Sequence, residues 1–325
     1  MLKILFAGFR HRHIWDLYKK AVNKKDIQII ACVEPYAQAR AIAEQTLGAK
    51  FDNRGYDYWL EQDIDIVAIG SRYGERGGMI IKALNAKKHI ISDKPICITK
   101  EELEQISELS QKRNLKIGCM FDLRYLPSTL AAKQVLRDGL LGEVRNISFF
   151  GQHCIDYANR PSWYFEKGMH GGTINDLAIH GLDLVSELTG LTVAKTHAAR
   201  TWNAYAYKNP DFKDCAIFMS ELNNGAGLLA DISYSAPSQV FSMPTYWDFK
   251  IWCEKGLLTF NAVDETAYIY QEGHTGVQKI VGPKPQTDYI DDIALEIKNN
   301  TDTFTKSVLK ATRQALDIQE LANGK

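Results

Sequence analysis

The segment Lys3-Ile4-Leu5-Phe6-Ala7-Gly8-Phe9-Arg10-His11-Arg12-His13-Ile14 joins an apolar run, a glycine and the start of a helical pattern. The same alternation recurs downstream. Ile27–Val33 is followed by a helical pattern over Tyr36–Thr46, Ile64–Ile69 by one over Gly78–Ala86, and His89–Ser92 by one from Lys100 to Arg113, before Lys116–Met120. Short β-rich runs separated by helices of about 10–15 residues predict βαβ units and a parallel sheet. The runs are almost continuously apolar, as strands are when both faces of the sheet are covered. Residues 1–122 are therefore expected to form a doubly wound, Rossmann-type domain.

The texture changes after Pro127. A helical stretch leads through Leu141-Gly142-Glu143 into long alternating runs: Val144–Phe150, Thr192–Thr201, Asp214–Leu222, Gly227–Ser235, Tyr246–Cys253, Leu257–Phe260 and Ala267–Gln271. Turn signals such as Asn223-Asn224-Gly225 and Glu254-Lys255-Gly256 join several of them, which predicts a large, mostly antiparallel sheet. One helix is expected over Thr173–Leu188 and two more over Thr287–Lys298 and Lys306–Leu321. The fold class is thus α/β for the first part and α+β for residues 123–325, read as a substrate-binding and oligomerisation domain.

A chain of 325 residues is long enough for two such domains. Thirty-nine Lys+Arg balance thirty-nine Asp+Glu, so the basic field that nucleic acids or acidic membranes require is missing. No apolar run reaches the roughly 20 residues of a membrane span, and the start, with a short apolar run and no small-residue cleavage site, is expected to be a first strand running into a loop rather than a signal peptide. Cys32, Cys97, Cys119, Cys154, Cys215 and Cys253 are scattered, without a C-x-x-C pair or metal-ligand spacing. Free thiols, no bound metal and a cytoplasmic location are expected.

Ligands of doubly wound sheets bind beyond the carboxyl ends of the strands, and the first strand-to-helix turn holds a pyrophosphate. Gly8 matches the first glycine of G-x-G-x-x-G, while Arg10 and His13 stand where the other two belong. Glu34, at the end of the second run, is placed to accept hydrogen bonds from both ribose hydroxyls, and an exposed strand-end acid is the other reading. Asp93-Lys94-Pro95 ends a strand and can present an ammonium to a substrate oxygen. Asp176 and His180 stand at i,i+4 of a helix behind Gly171-Gly172. That spacing suits an acid that orients a general base, and equally a structural pair.

In combination these segments resemble the glucose-fructose oxidoreductase, inositol dehydrogenase and rhizopine-catabolism family (Gfo/Idh/MocA). Asp93-Lys94-Pro95 stands for its Glu-Lys-Pro, behind Ala83-Leu84-Asn85-Ala86-Lys87-Lys88-His89-Ile90. Phe121–Pro127 matches its R-x-x-P segment, and Gly171-Gly172 through Asp183 matches G-G-x-x-x-D-x-x-x-H-x-x-D. Cys253–Leu258 and Tyr289-Ile290-Asp291-Asp292 fit as well. The resemblance runs through nearly the whole chain.

It implies an oxidoreductase that moves hydride between NAD and a carbinol of a sugar, polyol or related compound, with Lys94, Asp176 and His180 as the catalytic group. It also implies a homodimer or homotetramer. NAD is expected over NADP because Glu34 would repel a 2′-phosphate. Arg10 and Arg12 replace the small residues of the glycine loop and are expected to clamp the diphosphate through their guanidinium groups. Cofactor contacts are expected from Gly8, Phe9, Arg10, His11, Arg12, His13, Glu34, Ser71, Arg72, Asp93, Lys94 and Pro95. Ser71-Arg72-Tyr73-Gly74-Glu75-Arg76 replaces the family's T-P-x-x-x-H. Substrate contacts are expected from Lys94, Asp176, His180, Arg124, His153, Tyr157 and Trp163, with Tyr164, Tyr246 and Trp247 as further aromatic surface; a structural ion pair is the other reading of Arg124. Two other functions fit the same residues: a lyase or glycosidase that retains NAD and oxidises transiently, and a non-catalytic member that has lost the cofactor.

Overall fold

The computed structural model describes residues 1–324. It divides into two compact units, the first made of Met1–Met120, Pro161–Gly171 and Tyr289–Thr312, the second of Phe121–Arg160, Gly172–Asp288 and Arg313–Lys325.

In the first unit β1 (Leu2–Ala7), β2 (Ile27–Val33), β3 (Ile66–Ile69), β4 (His89–Ser92) and β5 (Ile117–Cys119) form a parallel sheet in the order β2-β1-β3-β4-β5. Every residue of the central strand β3 is buried, and so is every residue of β5 at the sheet edge, as continuous apolar runs covered on both faces require. The helices are α1 (His13–Val22), α2 (Ala37–Leu47), α3 (Gly55–Leu60), α4 (Tyr73–Asn85) and α5 (Lys100–Arg113). The chain leaves β1 toward β2 on one side and reaches β3 on the other. The loops after β1 and β3 therefore flank the point where the winding reverses, which is where such sheets bind ligands.

The boundaries of α5 coincide with those the sequence predicts, and local chemistry explains why. Thr99 caps it by accepting from the Glu102 amide at 3.2 Å, Glu101 and Glu102 lie in its first turn, Lys112 and Arg113 in its last, and Asn114 ends it at φ 53°. In contrast, α4 begins at Tyr73, five residues before the predicted start at Gly78. Gly77 is poor helix material, but a Cβ there would lie 2.3 Å from the Glu102 carboxyl carbon. Close packing of α4 on α5, absent from local propensity, carries the helix through Gly77 and Gly78. The sequence reading also omits α3.

The second unit holds an eight-stranded sheet of β6 (Val144–Gln152), β7 (Val193–Trp202), β8 (Cys215–Leu222), β9 (Gly227–Ser233), β10 (Asp248–Cys253), β11 (Gly256–Phe260), β12 (Thr266–Gln271) and β13 (Gln278–Val281). Its order is β13-β12-β11-β10-β6-β9-β8-β7, antiparallel throughout except for the parallel pair β6 and β9. The edge strand β13, short and polar, is missing from the sequence reading. Helices α6 (Pro127–Arg137) and α7 (Ile179–Thr189) belong to this unit, and α8 (Tyr289–Asn299) and α9 (Thr303–Ala322) close the chain.

One face of this sheet is core. Phe149, Phe249 and Phe260 stack there, and a Cβ on Gly181 of α7 would meet the Phe149 ring at 2.3 Å. On the other face Ile217, Met219, Leu229, Trp252 and Tyr270 are 43–49% exposed. Among the described residues no helix is long and apolar enough to cross a membrane.

Candidate active site

The site residues expected from the sequence fall into two groups of side chains, one in each unit. In the first unit the loop after β1 is built around Gly8. Its φ is +84°, and a Cβ would come within 2.6 Å of the Ser71 nitrogen, so only glycine lets the loops after β1 and β3 touch. The loop's amides are committed to the protein. Gly8 donates to Val33 O at 2.9 Å, Phe9 to Glu34 Oε2 at 2.5 Å, and Arg10 and His11 to Gly70 O at 3.0 and 3.3 Å. The Phe9 ring is buried against Phe51. What residues 8–11 can offer an anionic ligand is therefore side chain rather than backbone.

Arg10 supplies it. Its guanidinium lies 3.7 Å from the centre of the Tyr36 ring and borders a cavity of about 500 Å³ beyond the ends of β1, β2 and β3, lined among others by Gly8, Glu34, Tyr36, Ser71 and Glu75. Nη1 of Arg10 is buried without a hydrogen-bond partner. Such a group is costly to bury unless a ligand oxygen completes it. Glu34 lies on the cavity wall, its Oε1 accepting from the Tyr36 amide at 2.9 Å, and burial pushes its carboxyl up against the pull of those amides. Free lone pairs on both carboxylate oxygens can still take ribose hydroxyls. A dinucleotide therefore fits: glycine contact, an unfilled guanidinium donor and an acid at the end of β2. Arg12 is exposed and does not line this cavity. Arg72 pairs with Glu75 at 2.5 Å and Glu166 at 3.1 Å.

Asp93, fully buried, gathers three partners: His11 Nδ1 at 2.7 Å, His13 Nδ1 at 3.1 Å and Arg76 Nη2 at 2.7 Å. Burial alone would raise its carboxyl, but Arg76, His11 and His13 hold it well below the usual range. Burial keeps His11 neutral by pushing it down to about 3. Its Nε2 faces the hydroxyls of Tyr164 at 2.9 Å and Tyr73 at 3.2 Å. The ligand atoms of His11, His13 and Asp93 lie within 4.8 Å of one another, as a metal would need. Lys94 follows, buried, its peptide to Pro95 cis and its ammonium 6.0 Å from the centre of the Tyr73 ring. Trp163 lies in this unit too, fully buried with Nε1 donating to Arg10 O at 3.3 Å. It braces the loop.

In the second unit Asp176 lies on a π-helical turn over Ile174–Ala178 that runs into α7, and His180 follows in the first turn of that helix. Such wide turns recur at functional sites because they redirect side chains. The Tyr234 hydroxyl donates to Asp176 Oδ2. His180 is 7% exposed, with its ring edge-on to Phe121 and Trp247 at 6.1 and 5.5 Å. His153 packs on the same Trp247 at 5.6 Å and on Tyr246 at 5.4 Å. Asp176, His180 and His153 are thus linked through Tyr234 and Trp247, whereas Tyr157 packs on Tyr207. Arg124 spends its guanidinium on Asp183, bidentately with Nε at 2.7 Å, and on Glu187 at 3.3 Å. Arg76, Tyr73 and Tyr234 are absent from the candidates named in the sequence. The segment Ser71–Arg76, standing where the family has T-P-x-x-x-H, was the local sign of the first two.

Residues 6–121 match the model of an oxidoreductase family with an NAD-binding Rossmann fold, and residues 129–259 match that of the GFO/IDH/MocA C-terminal domain. The levoglucosan dehydrogenase of Pseudarthrobacter phenanthrenivorans is 30% identical over 147 residues, 44% of this chain and 37% of that enzyme. The D-xylose dehydrogenase of Paenarthrobacter nicotinovorans is 25% identical over 232 residues, 67% of this chain and 60% of that enzyme. The matched stretches thus span less than two thirds of either enzyme. Among solved structures, levoglucosan dehydrogenase in complex with NADH and levoglucosan superposes with a TM-score of 0.83 at 18% identity, over 99% of this chain and 97% of that one. The aldose-aldose oxidoreductase of Caulobacter crescentus, complexed with glycerol, gives 0.83 at 17% identity, over 99% and 98%. These two likenesses establish the fold.

Proposed function

The chain belongs to the GFO/IDH/MocA oxidoreductase family, and from that premise we propose that it is an NAD-dependent dehydrogenase acting on a carbinol of a sugar, polyol or related compound. The observation that carries the cofactor reading is the unpartnered Arg10 guanidinium nitrogen on the cavity beyond β1, β2 and β3. The sugar class is supported by the two dehydrogenases named above. When bound, NAD supplies the hydride acceptor. Gly8 and Arg10 hold the diphosphate and Glu34 the adenosine ribose. Lys94 polarises the substrate hydroxyl oxygen, and the imidazole of His180 takes its proton. Asp176, fixed by the Tyr234 hydroxyl, favours the protonated imidazole that results.

A thermal-shift titration tests the assignment, because a ligand of the native state raises the melting temperature. NAD is expected to raise it and NADP to leave it nearly unchanged. Arg10→Ala should weaken NAD binding by about 1.5–3 kcal/mol, the scale of a hydrogen bond to a charged group, and Arg12→Ala should not weaken it. Indifference to NAD would move the protein to the non-catalytic reading, and turnover of a sugar without net NADH to the NAD-retaining lyase or glycosidase.

The exposed apolar residues of β8, β9 and β10 are proposed to be covered in a homodimer or homotetramer. Light scattering at micromolar concentration should give a multiple of 36.7 kDa, and a monomer would refute this. A cytoplasmic location is supported by the free cysteines, five of them buried.

A further inference from the structure

Arg76 is fully buried on α4 and every nitrogen of its guanidinium is used. Nε donates to Ser71 O at 2.9 Å, Nη1 to Lys94 O at 2.5 Å and Pro95 O at 3.1 Å, and Nη2 to Asp93 Oδ2 at 2.7 Å. Three of its four acceptors sit on the consecutive residues 93, 94 and 95. We propose that Arg76 is the positioning residue for Lys94, a role that rests on the reading of Lys94 as the catalytic lysine.

The physical case is one of cost and shape. A buried guanidinium that loses an acceptor pays the full desolvation penalty, so the backbone on either side of Lys94 cannot shift without that loss. The planar fork reaches one carboxylate and three carbonyls at once, whereas an ammonium has three donors on a single atom. The two sequence departures from the family also interlock here. Asp93 is one methylene shorter than the glutamate of Glu-Lys-Pro, and Arg76 is longer than the histidine of T-P-x-x-x-H. The shorter acid is met by the longer base. Asp93 also holds His11 of the loop after β1 and His13 at the start of α1, so one carboxylate ties the lysine segment to the cofactor loop.

The test uses the whole protein with Arg76→Lys and Arg76→Ala. The first readout is the rate at which the Lys94 amine is acylated by acetic anhydride, followed by peptide mass spectrometry. The second is NAD affinity by calorimetry, and the third is turnover with levoglucosan and D-xylose as probes. Lys94 should acylate about 10-fold faster in both variants as its segment opens, and turnover should fall by about 10²-fold, the effect of a misplacement near 1 Å, well beyond any fall in NAD affinity. Added guanidinium ion should slow acylation again in Arg76→Ala, which a merely structural defect would not allow. If that variant fails to fold, Arg76→Lys decides alone, since it keeps a cation for Asp93. An unchanged acylation rate in a folded variant overturns the positioning role. Full turnover in Lys94→Ala would instead overturn the catalytic reading of the lysine.

Discussion

His180→Asn is expected to fold, to bind NAD as the parent does, and to lose about 10²–10⁴ in kcat, the scale of removing a general base. Asparagine keeps a polar group on the first turn of α7 but has no proton affinity near neutral pH. The ring's neighbours are Phe121 and Trp247, so the smaller side chain also leaves a gap, and the melting temperature should fall by a few degrees without loss of cooperativity. Activity and stability then separate: kcat collapses while the fold and the NAD titration survive. Unfolding of the variant would instead make His180 a packing residue. Undiminished kcat would place the base elsewhere, His153 on the same Trp247 being the next choice.

Arg124→Ala should destabilise the protein by about 3–5 kcal/mol in urea unfolding, because it strips the cation from a buried carboxylate. Asp183 is nearly inaccessible, and burial pushes its carboxyl up even with Arg124 beside it. The pH dependence follows in sign. A carboxyl whose folded pKa lies above its unfolded value binds more protons in the native state, so falling pH favours folding. With Arg124 gone that upward shift grows, and the deficit of the variant should shrink between pH 7 and pH 5. Replacing both partners by apolar residues of similar volume, Arg124→Met with Asp183→Leu, should recover most of the loss. A variant with wild-type stability and a raised KM would return Arg124 to the substrate contacts expected from the sequence.

The parallel sheet was legible because its strands are continuous apolar runs and its turns are polar, a pattern that needs no knowledge of partners. The ends of α5 were legible because Thr99 and Asn114 are local stop signals. Gly8 was legible as a turn, and Asp93-Lys94-Pro95 and Gly171–Asp183 as family motifs whose order along the chain is itself information. The start of α4, the edge strand β13 and the parallel β6–β9 pair depend on neighbours distant in sequence, which local propensity does not contain.

The same division runs through the site. Sequence alone determined the residue types and their order: a glycine loop with arginines in it, an acid after the second strand, a lysine between Asp93 and Pro95. Tertiary structure decided what each does. It set Arg10 on Tyr36 with a nitrogen unfilled and left Arg12 exposed, turned Trp163 into a brace for the loop, bound Arg124 to Asp183, and brought Arg76, His11 and His13 onto Asp93. Up to 153 residues separate those partners. Hydrogen-bond donors find acceptors by proximity after the chain has folded, and periodicity along the chain encodes which face a side chain takes but not which partner it meets there.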